Sequence, residues 1–434
     1  MLLRMAHEAL RVSGGVLLLL LTACGSSSDH PESAGGSAGG TAGPGGADSL
    51  GGANGSAGAN SSGGASGKVG VSGSSPGGSA TAGGGTPATA GAHSAGAGGD
   101  VAPPDTKWLN STNNLPMLAP PDSGEVAFLA AVPNTNRVIA ALSGAGLFVT
   151  DDGGAVWTHL GSGAGSAQIT HGPSSLTFDP EHAGVFWESG IYGSFGDGLY
   201  TTKDEGVTFT QLGTIGHNDF LTIDFSDPAR KLLLAGTHEQ SRKLFKSVDG
   251  GMSWMDIGMN VPAGTGFSVL PLIIDAQNYL LGINGTGTVG VYRSANAGMT
   301  WASTATDSPY GWPLRASDGN IYWLLNGTGM IISSDQGKTW RKAGAGPTQT
   351  MSAGPMELPD GRIVTLGPTH VIVSADKGAT WQEVGEKLPF PTQNCQTYGF
   401  TYSAPTRTFF INHNNCSGKL IADTIWTSGW DYTK

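Results

Sequence analysis

The chain has 434 residues and a formal net charge of −11, from 22 Lys and Arg against 33 Asp and Glu. Its basic residues form no cluster, which argues against nucleic acid as a partner. All 11 Trp lie beyond residue 100, whereas many of the 71 Gly lie before it. The composition therefore indicates two regions of different character.

Residues 1–23 are typical of a lipoprotein signal peptide. Two arginines precede an apolar run, 16–21, that is too short to span a bilayer. The run ends in Leu-Thr-Ala-Cys followed by Gly, which resembles the lipobox of bacterial lipoproteins. The resemblance implies that lipidated Cys24 holds the mature protein in the bacterial cell envelope, at the outer membrane or the cell surface. No segment is expected to cross the membrane.

Residues 24–103 are predicted to form a disordered tether. Between residues 25 and 100, 56 of 76 positions are Gly, Ala or Ser, and none is aromatic. Such a segment buries too little apolar surface to offset the entropy lost on ordering. Residues 104–434 remain as the folded domain. We expect its two cysteines, Cys395 and Cys416, to form a disulfide because the protein is exported.

A short pattern, Ser/Thr-x-Asp-x-Gly-x-Thr-Trp, recurs six times in the folded domain with small departures. Successive copies are 52, 45, 47, 39 and 41 residues apart. The third positions are Asp152, Asp204, Asp249, Asn296, Asp335 and Asp376. The pattern resembles the Asp box, or bacterial neuraminidase repeat, of sialidases, xyloglucanases, sortilins and photosystem II stability factors.

The chemistry of the box predicts a hairpin turn. The Asp side chain accepts backbone N–H groups, the Ser or Thr hydroxyl adds a weaker local bond, and the Gly tolerates a positive φ. The aromatic residue begins the next strand and is buried. We therefore assign the six third-position residues a structural role rather than a catalytic one.

Short β-rich segments flank every box, and four strands per 40–50 residues make one propeller blade. A seventh segment, 398–426, carries no box and is one strand short. Residues 106–112 could supply that strand and close the ring. The sequence thus predicts an all-β, seven-bladed propeller, with six blades as the alternative.

The resemblance places the boxes on one face of the propeller and any ligand on the opposite face. Residues expected on that second face are polar or aromatic, as in many sugar sites. The candidate ligand-binding residues are Tyr192, His217, His238, Arg242, Tyr310, Trp312 and Arg315, with Tyr310 and Trp312 as an exposed aromatic patch; the stretch Asn-His-Asn-Asn at 412–415 adds further polar groups. Paired carboxylates can act as acid and base, and the candidate catalytic residues are Asp197, Asp219 and Glu239.

Two classes of function stay open at this point. One is a propeller that binds or processes glycans, as a glycoside hydrolase or polysaccharide lyase if it is an enzyme. The other is a non-catalytic module that binds an extracellular protein or assists assembly, as in sortilins or photosystem II stability factors.

A sialidase is disfavoured because no Arg-Ile-Pro motif is present and few arginines are well placed. Arg137, Arg230, Arg362 and Arg407 are expected in first-to-second turns, away from the ligand face. No residue spacing indicates a metal site, and no cofactor is expected. We expect a monomer.

Overall fold

The computed structural model describes residues 106–119, 124–169, 172–191, 198–266, 268–327, 329–348, 354–390, 392, 397–414 and 424–433. The chain divides into two units, Met1–Ala97 and Gly98–Lys434, and every described residue belongs to the second. Within these ranges the strands form seven antiparallel sheets of four strands each. No described helix has the length and hydrophobicity needed to span a membrane.

The described part begins with a short strand and a single helical turn, β1 (Leu109–Asn110) and α1 (Leu115–Leu118). Seven blades follow in chain order. Blade one contains β2 (Val126–Ala131), β3 (Val138–Leu142), β4 (Gly146–Thr150) and β5 (Thr158–His159), and blade two contains β6 (Gly172–Phe178), β7 (Phe186–Ile191), β8 (Leu199–Thr202) and β9 (Thr210–Gln211). Blade three contains β10 (Asn218–Ile223), β11 (Leu233–Thr237), β12 (Leu244–Ser247) and β13 (Met255–Asp256). Two 3₁₀ turns, Ser166–Gln168 and Gly258–Asn260, lie in the connections that leave blades one and three.

Blade four contains β14 (Ser268–Ile273), β15 (Tyr279–Asn284), β16 (Gly290–Ser294) and β17 (Ala302–Ala305), and blade five contains β18 (Leu314–Arg315), β19 (Ile321–Leu324), β20 (Met330–Ser333) and β21 (Arg341–Lys342). Blade six contains β22 (Met356–Glu357), β23 (Ile363–Leu366), β24 (Val371–Ser374) and β25 (Gln382–Val384). Blade seven contains β26 (Phe400–Ser403), β27 (Thr408–Asn412) and β28 (Ile425–Gly429). In blades one to six the strand order within each sheet follows the chain.

The N-terminal strand completes blade seven. The order in that sheet is β1-β28-β27-β26, and β1 pairs Leu109 with Thr427 and Asn110 with Trp426. A hydrogen bond of 2.6 Å between the hydroxyls of Ser111 and Thr427 extends this pairing. The structure therefore confirms the seven-bladed prediction over the six-bladed alternative.

The two middle strands of a blade are buried and the outer strand is exposed. All five residues of β3 and all five of β4 are buried, whereas both residues of β5 are exposed. Box aromatics fill the gaps between blades. Trp157 is fully buried among residues of blade one and of blade seven, including Phe410 and Ile425. The boxes thus join neighbouring blades as well as neighbouring strands.

Candidate functional site

The six Asp boxes share one hydrogen-bond pattern. In the third box the Ser247 hydroxyl donates to Asp249 Oδ1 at 2.8 Å and accepts the N–H of Gly251 at 2.8 Å. Asp249 Oδ1 also accepts the N–H of Ser253 at 2.9 Å. The same three contacts occur in the other five boxes. The buried hydroxyl is central to the turn, and the sequence interpretation had given it only a minor part.

The Asp carboxylates of these boxes already accept hydrogen bonds from groups of their own turn. Hydrogen bonds from the hydroxyl and the N–H of Ser253 lower the pKa of Asp249 to about 2. Those from Thr380 lower the pKa of Asp376 to about 2 in the same way. The Gly of each box has a positive φ, 91° at Gly251, and so does the residue before it, 62° at Gln336. The geometry is that of a self-contained turn, with no carboxylate left for a reaction.

Backbone contacts place the boxes at one end of the blades. The N–H of Gly250 donates to Lys231 O at 3.0 Å, so this box lies beside the first-to-second turn of its blade. The N–H of Glu205 donates to Gly184 O at 2.9 Å in blade two. We call this end the box face. The opposite end, which carries the second-to-third loops and the connections between blades, is the loop face.

Four candidate residues meet at the loop face of blade three, and we call them the blade-three cluster: His217, Asp219, His238 and Glu239. His238 Nδ1 lies 2.9 and 3.0 Å from the two carboxylate oxygens of Asp219. His238 Nε2 lies 3.6 Å from Glu239 Oε1. The rings of His217 and His238 meet edge to face, with centroids 5.3 Å apart. One imidazole therefore stands between two carboxylates.

The electrostatics of the cluster favour a charged histidine. Burial alone would lower the pKa of His238. The hydrogen bond and charge of Asp219, together with the charge of Glu239, outweigh burial and raise the pKa above its usual 6.5. Side-chain exposure is 20% for His238 and 39% for Glu239. The His238 ring and the Glu239 carboxylate beside it are therefore both accessible from solvent.

The arrangement assigns different chemical roles to the two carboxylates. Both touch one imidazole ring, so their nearest oxygens lie within about 9 Å, a separation compatible with acid–base pairs in glycoside hydrolysis. However, both oxygens of Asp219 are directed at His238. Asp219 is thus suited to orienting the imidazole, as the Asp of a catalytic triad does. His238 and Glu239 remain as the groups that can exchange a proton.

A backbone irregularity brings Asp219 to this position. The pairing of β10 with β11 shifts between Asn218 and Phe220, which leaves Asp219 as the extra residue of a β-bulge. Bulges are common beside functional sites because they redirect one side chain. The Ser174 hydroxyl, from blade two, contacts the carbonyls of Asn218 at 2.9 Å and of Asp219 at 3.1 Å. Sequence reasoning missed both the bulge and the serine, since neither has a short-range signature.

Two members of the cluster have unusual backbone conformations. His217 has a φ of 61° and Glu239 a φ of 51°, a region that residues other than Gly rarely adopt. The N–H of His238 donates to His217 O at 2.8 Å, which ties the two loops together. Such conformations cost about 1–3 kcal/mol each and persist where the surrounding structure imposes them. The loops of the cluster are therefore held in defined positions.

The two arginines expected at the ligand site have other contacts. The guanidinium of Arg242 donates to Val261 O at 2.9 Å and to Met259 O at 2.6 Å, so it braces the connection leaving blade three. Arg315 lies in β18 and donates to Ile274 O at 2.8 Å, just beyond the end of β14. That end belongs to the box face. The sequence placed Arg315 in the loop that enters blade five, whereas the structure places it in the first strand of that blade, at the end next to the box face.

Tyr310 and Trp312 are half-buried and do not form the exposed patch that we expected. Trp312 lies 5.9 Å from Phe128 of β2 and 6.0 Å from Phe220 of β10, measured between ring centroids. Blades one, three and five are not neighbours in a ring of seven, so these contacts cross the central channel. We call the three rings the aromatic plug. Because Phe220 follows Asp219 in the chain, the plug adjoins the blade-three cluster.

No three arginines of the described residues converge on the loop face. Arg137, Arg230, Arg362 and Arg407 precede second strands, in the first-to-second turns where the sequence placed them. Arg230 is buried and pairs with Asp179 at 2.9 Å. The described structure therefore offers no clamp of the sialidase kind for a substrate carboxylate.

One further group of ligating side chains lies on the box face: Asp179, Glu181 and His182. Arg230 Nη2 donates to Asp179 at 3.1 Å and to Glu181 at 2.7 Å. This ion pairing lowers the pKa of Asp179 well below its ordinary value. The guanidinium thus occupies the position that a cation would take.

Several predicted residues lie outside the described part of the chain. They are Cys24, Tyr192, Asp197, Cys395 and Cys416. The lipid anchor, the disulfide and the contribution of blade two to the site consequently stay predictions.

Comparison with known proteins supports the fold and leaves the activity open. Residues 267–433 match the family described as the DUF6242 beta propeller domain. No curated protein matches the sequence. Among solved structures, the chain is similar to the GH74 xyloglucanase from Xanthomonas campestris, at 15% identity and a TM-score of 0.44, covering 74% of this chain and 55% of that one. This chain thus spans about half the length of the xyloglucanase.

Two further similar structures are covered over almost their full length. YCF48 bound to D1 peptide shares 13% identity at a TM-score of 0.47, covering 75% of this chain and 97% of that one. YCF48 from Cyanidioschyzon merolae shares 14% identity at a TM-score of 0.45, covering 74% and 98%. At these identities the similarity concerns the β-propeller fold alone.

Proposed function

We propose that this propeller binds neutral glycans at the loop face, over blades two and three. The observation that carries the proposal is the blade-three cluster beside the aromatic plug. Sugar sites combine a few directed polar groups with aromatic surface. Here Glu239 and His238 supply accessible polar groups, and Phe220 and Trp312 supply partly exposed rings.

The preference for a neutral glycan follows from the charges at the site. The described loop face presents the carboxylates of Asp219 and Glu239, while Arg242 is engaged with backbone carbonyls. An acidic sugar would therefore meet two carboxylates, opposed by the single imidazole of His238 and by no guanidinium. Hydroxyl groups, in contrast, can donate to Glu239 and accept from His238.

Cleavage of the bound glycan is a second candidate, favoured by the position of His238 between two carboxylates. Paired with Asp219, His238 can donate a proton to the leaving oxygen, and Glu239 can accept one from the attacking water. The paired residues of this reaction would be His238 and Glu239. Asp219 would act by orienting the imidazole.

The test is a titration of the full chain with neutral hexasaccharides of glucose, xylose, mannose and N-acetylglucosamine. We expect binding to at least one, weakened about tenfold or more in Glu239→Gln, because a hydrogen bond to a charged group is lost. Asp249→Asn, on the box face, is the matched control and should bind as the wild type does. New reducing ends would establish cleavage. If no hexasaccharide binds, the proposal fails and the protein-binding alternative takes precedence.

We also propose, on the lipobox resemblance alone, that Cys24 is lipidated and anchors the protein in the cell envelope. Replacement of Cys24 by Ser should move the protein from the membrane fraction to the soluble fraction without changing its thermal unfolding. Unchanged membrane retention would contradict lipidation.

A further inference from the structure

The junction of blades one and seven carries a second polar network on the loop face. Two amides converge there on one carbonyl: Asn414 Nδ2 donates to Val126 O at 3.0 Å, and Asn412 Nδ2 reaches the same oxygen at 3.4 Å. Asn412 Oδ1 accepts the N–H of Tyr398 at 3.0 Å. The Tyr398 hydroxyl in turn donates to Glu125. The network belongs to the loop face because β2 begins there and β27 ends there.

Two buried atoms of this network have unused hydrogen-bonding capacity. Thr397 and Asn414 are 0% and 1% exposed, yet Thr397 Oγ1 and Asn414 Oδ1 have no hydrogen-bond partner among the described residues. Buried polar groups are nearly always satisfied by protein, water or ligand. The amide of Asn414 holds Val126 O, and Val126 follows Glu125 in the chain. The unused acceptor therefore belongs to a side chain bound to the backbone next to Glu125.

We propose that Glu125, Tyr398 and Asn414 form a second sugar subsite on the loop face, separate from the blade-three cluster. This inference rests on the proposed function, since it assigns a further contact to the same class of ligand. A phenol, an amide and a threonine hydroxyl both donate and accept hydrogen bonds, and a carboxyl group accepts them in either protonation state. The hydroxyl groups of a neutral sugar have the same dual character.

The charge state of the network fits this ligand better than it fits an anion. Burial raises the pKa of Glu125, and the hydrogen bond from Tyr398 offsets only part of that rise. The carboxyl group therefore keeps its proton to higher pH than an exposed Glu. No Lys or Arg contributes to the described contacts of the network, so an anion would find no opposing charge.

Position makes the network distinct from the first site. The blade-three cluster lies in β10 and the loop after β11, whereas this network lies at the start of β2 and the end of β27. Blades one and three are separated by blade two. A chain of several sugar units could contact both places, whereas a single sugar could contact only one. Longer oligosaccharides should therefore depend on both sets of residues.

The experiment uses the full chain and whichever of the four neutral hexasaccharides binds it. Glu125→Ala should weaken the affinity about tenfold, through lost hydrogen bonds. Glu125→Gln should stay within about twofold of wild type, because an amide keeps a donor and an acceptor. Tyr398→Phe is a second variant, which removes one hydroxyl and keeps the shape of the ring. This variant should also bind the hexasaccharide more weakly than the wild type. Thermal unfolding of each variant controls for folding.

The outcomes separate this inference from the proposed function. If the wild type binds and folded Glu125→Ala and Tyr398→Phe bind equally well, the second subsite is wrong while the blade-three proposal survives. If Glu239→Gln loses affinity and the Glu125 variants do not, the ligand contacts blade three alone. Absence of binding by the wild type would overturn both.

Discussion

The two ends of blade three are built on opposite principles. At the box face, Asp249 is held by a short local sequence that recurs in six blades. At the loop face, Asp219 is held by a bulge, by Ser174 of another blade and by His238 from a different loop. The first arrangement is local, so a repeat can encode it. The second depends on residues far apart in sequence. Blades one and two have a similar shift at the start of their first strands, but among the described residues the His–Asp pair is found in blade three.

The comparison predicts different consequences for changes at the two ends. Substitutions in a box should alter stability and leave ligand binding unchanged. Substitutions in the blade-three cluster should alter protonation and binding more than stability.

The largest expected effect belongs to a buried box hydroxyl. Ser247→Ala leaves the N–H of Gly251 without its acceptor inside the turn, and such a loss costs about 1–3 kcal/mol. The free energy of unfolding in urea measures it. Ser253→Ala is the matched control, because Ser253 is exposed and its loss should cost less. Equal effects of the two substitutions would show that the buried hydroxyl is not the centre of the turn.

An intermediate effect is expected on the protonation of His238. Asp219→Asn removes the nearest negative charge, so the pKa of His238 should fall, as measured by NMR titration of the imidazole. Glu239→Gln should lower it less, because Glu239 lies 3.6 Å away rather than 2.9 Å. A larger shift from the Glu239 substitution would reverse the roles we assign to the two carboxylates.

The ion pair of His238 and Asp219 also makes the stability of the fold depend on pH. The pKa of His238 is raised in the folded protein, so its ion pair stabilises the fold fully below the unfolded-state pKa, about 6.5. This stabilisation is lost as the pH rises through the folded-state pKa. The stability difference between wild type and Asp219→Asn should therefore shrink as the solution becomes alkaline.

The smallest effect is expected for Asp249→Asn. The fourth box has Asn naturally, and Asn296 Nδ2 donates to Thr300 Oγ1 at 2.8 Å, so an amide fits the turn. Stability at neutral pH should therefore change little. Because the pKa of Asp249 is lowered to about 2, wild type should lose part of its stability as the pH falls from about 4 toward 2. The Asn variant should lose less, and Asn296→Asp should lose more.

Repetition explains how much of the molecule could be predicted from sequence. Six copies of one turn, at intervals near the length of a blade, fixed the strand order and identified the face that carries Asp249. The missing strand of blade seven was found from a simple count of strands. Such inferences need only local patterns and the geometry of a propeller.

The loop face was less predictable because its contacts join distant segments. His238 and Asp219 were each identified as polar loop residues, but their pairing depends on a bulge that shifts Asp219 by one position. Arg315 was assigned to a loop because β18 has only two residues and carries no strand pattern of its own. Trp312 was expected on the surface, and only the closed ring shows that it meets Phe128 and Phe220 across the channel.

The pairing of β1 with β28 also determines when the molecule can be completed during synthesis. Ser111 and Thr427, which bond across this pair, are 316 positions apart in the chain. A ribosome therefore finishes β1 long before its partner strand exists, and blades one to six can emerge while the ring is still open. Closing the ring is the last topological event, and it joins the oldest strand to the newest. A chain interrupted before β28 would leave β1 and β27 without the strand that lies between them.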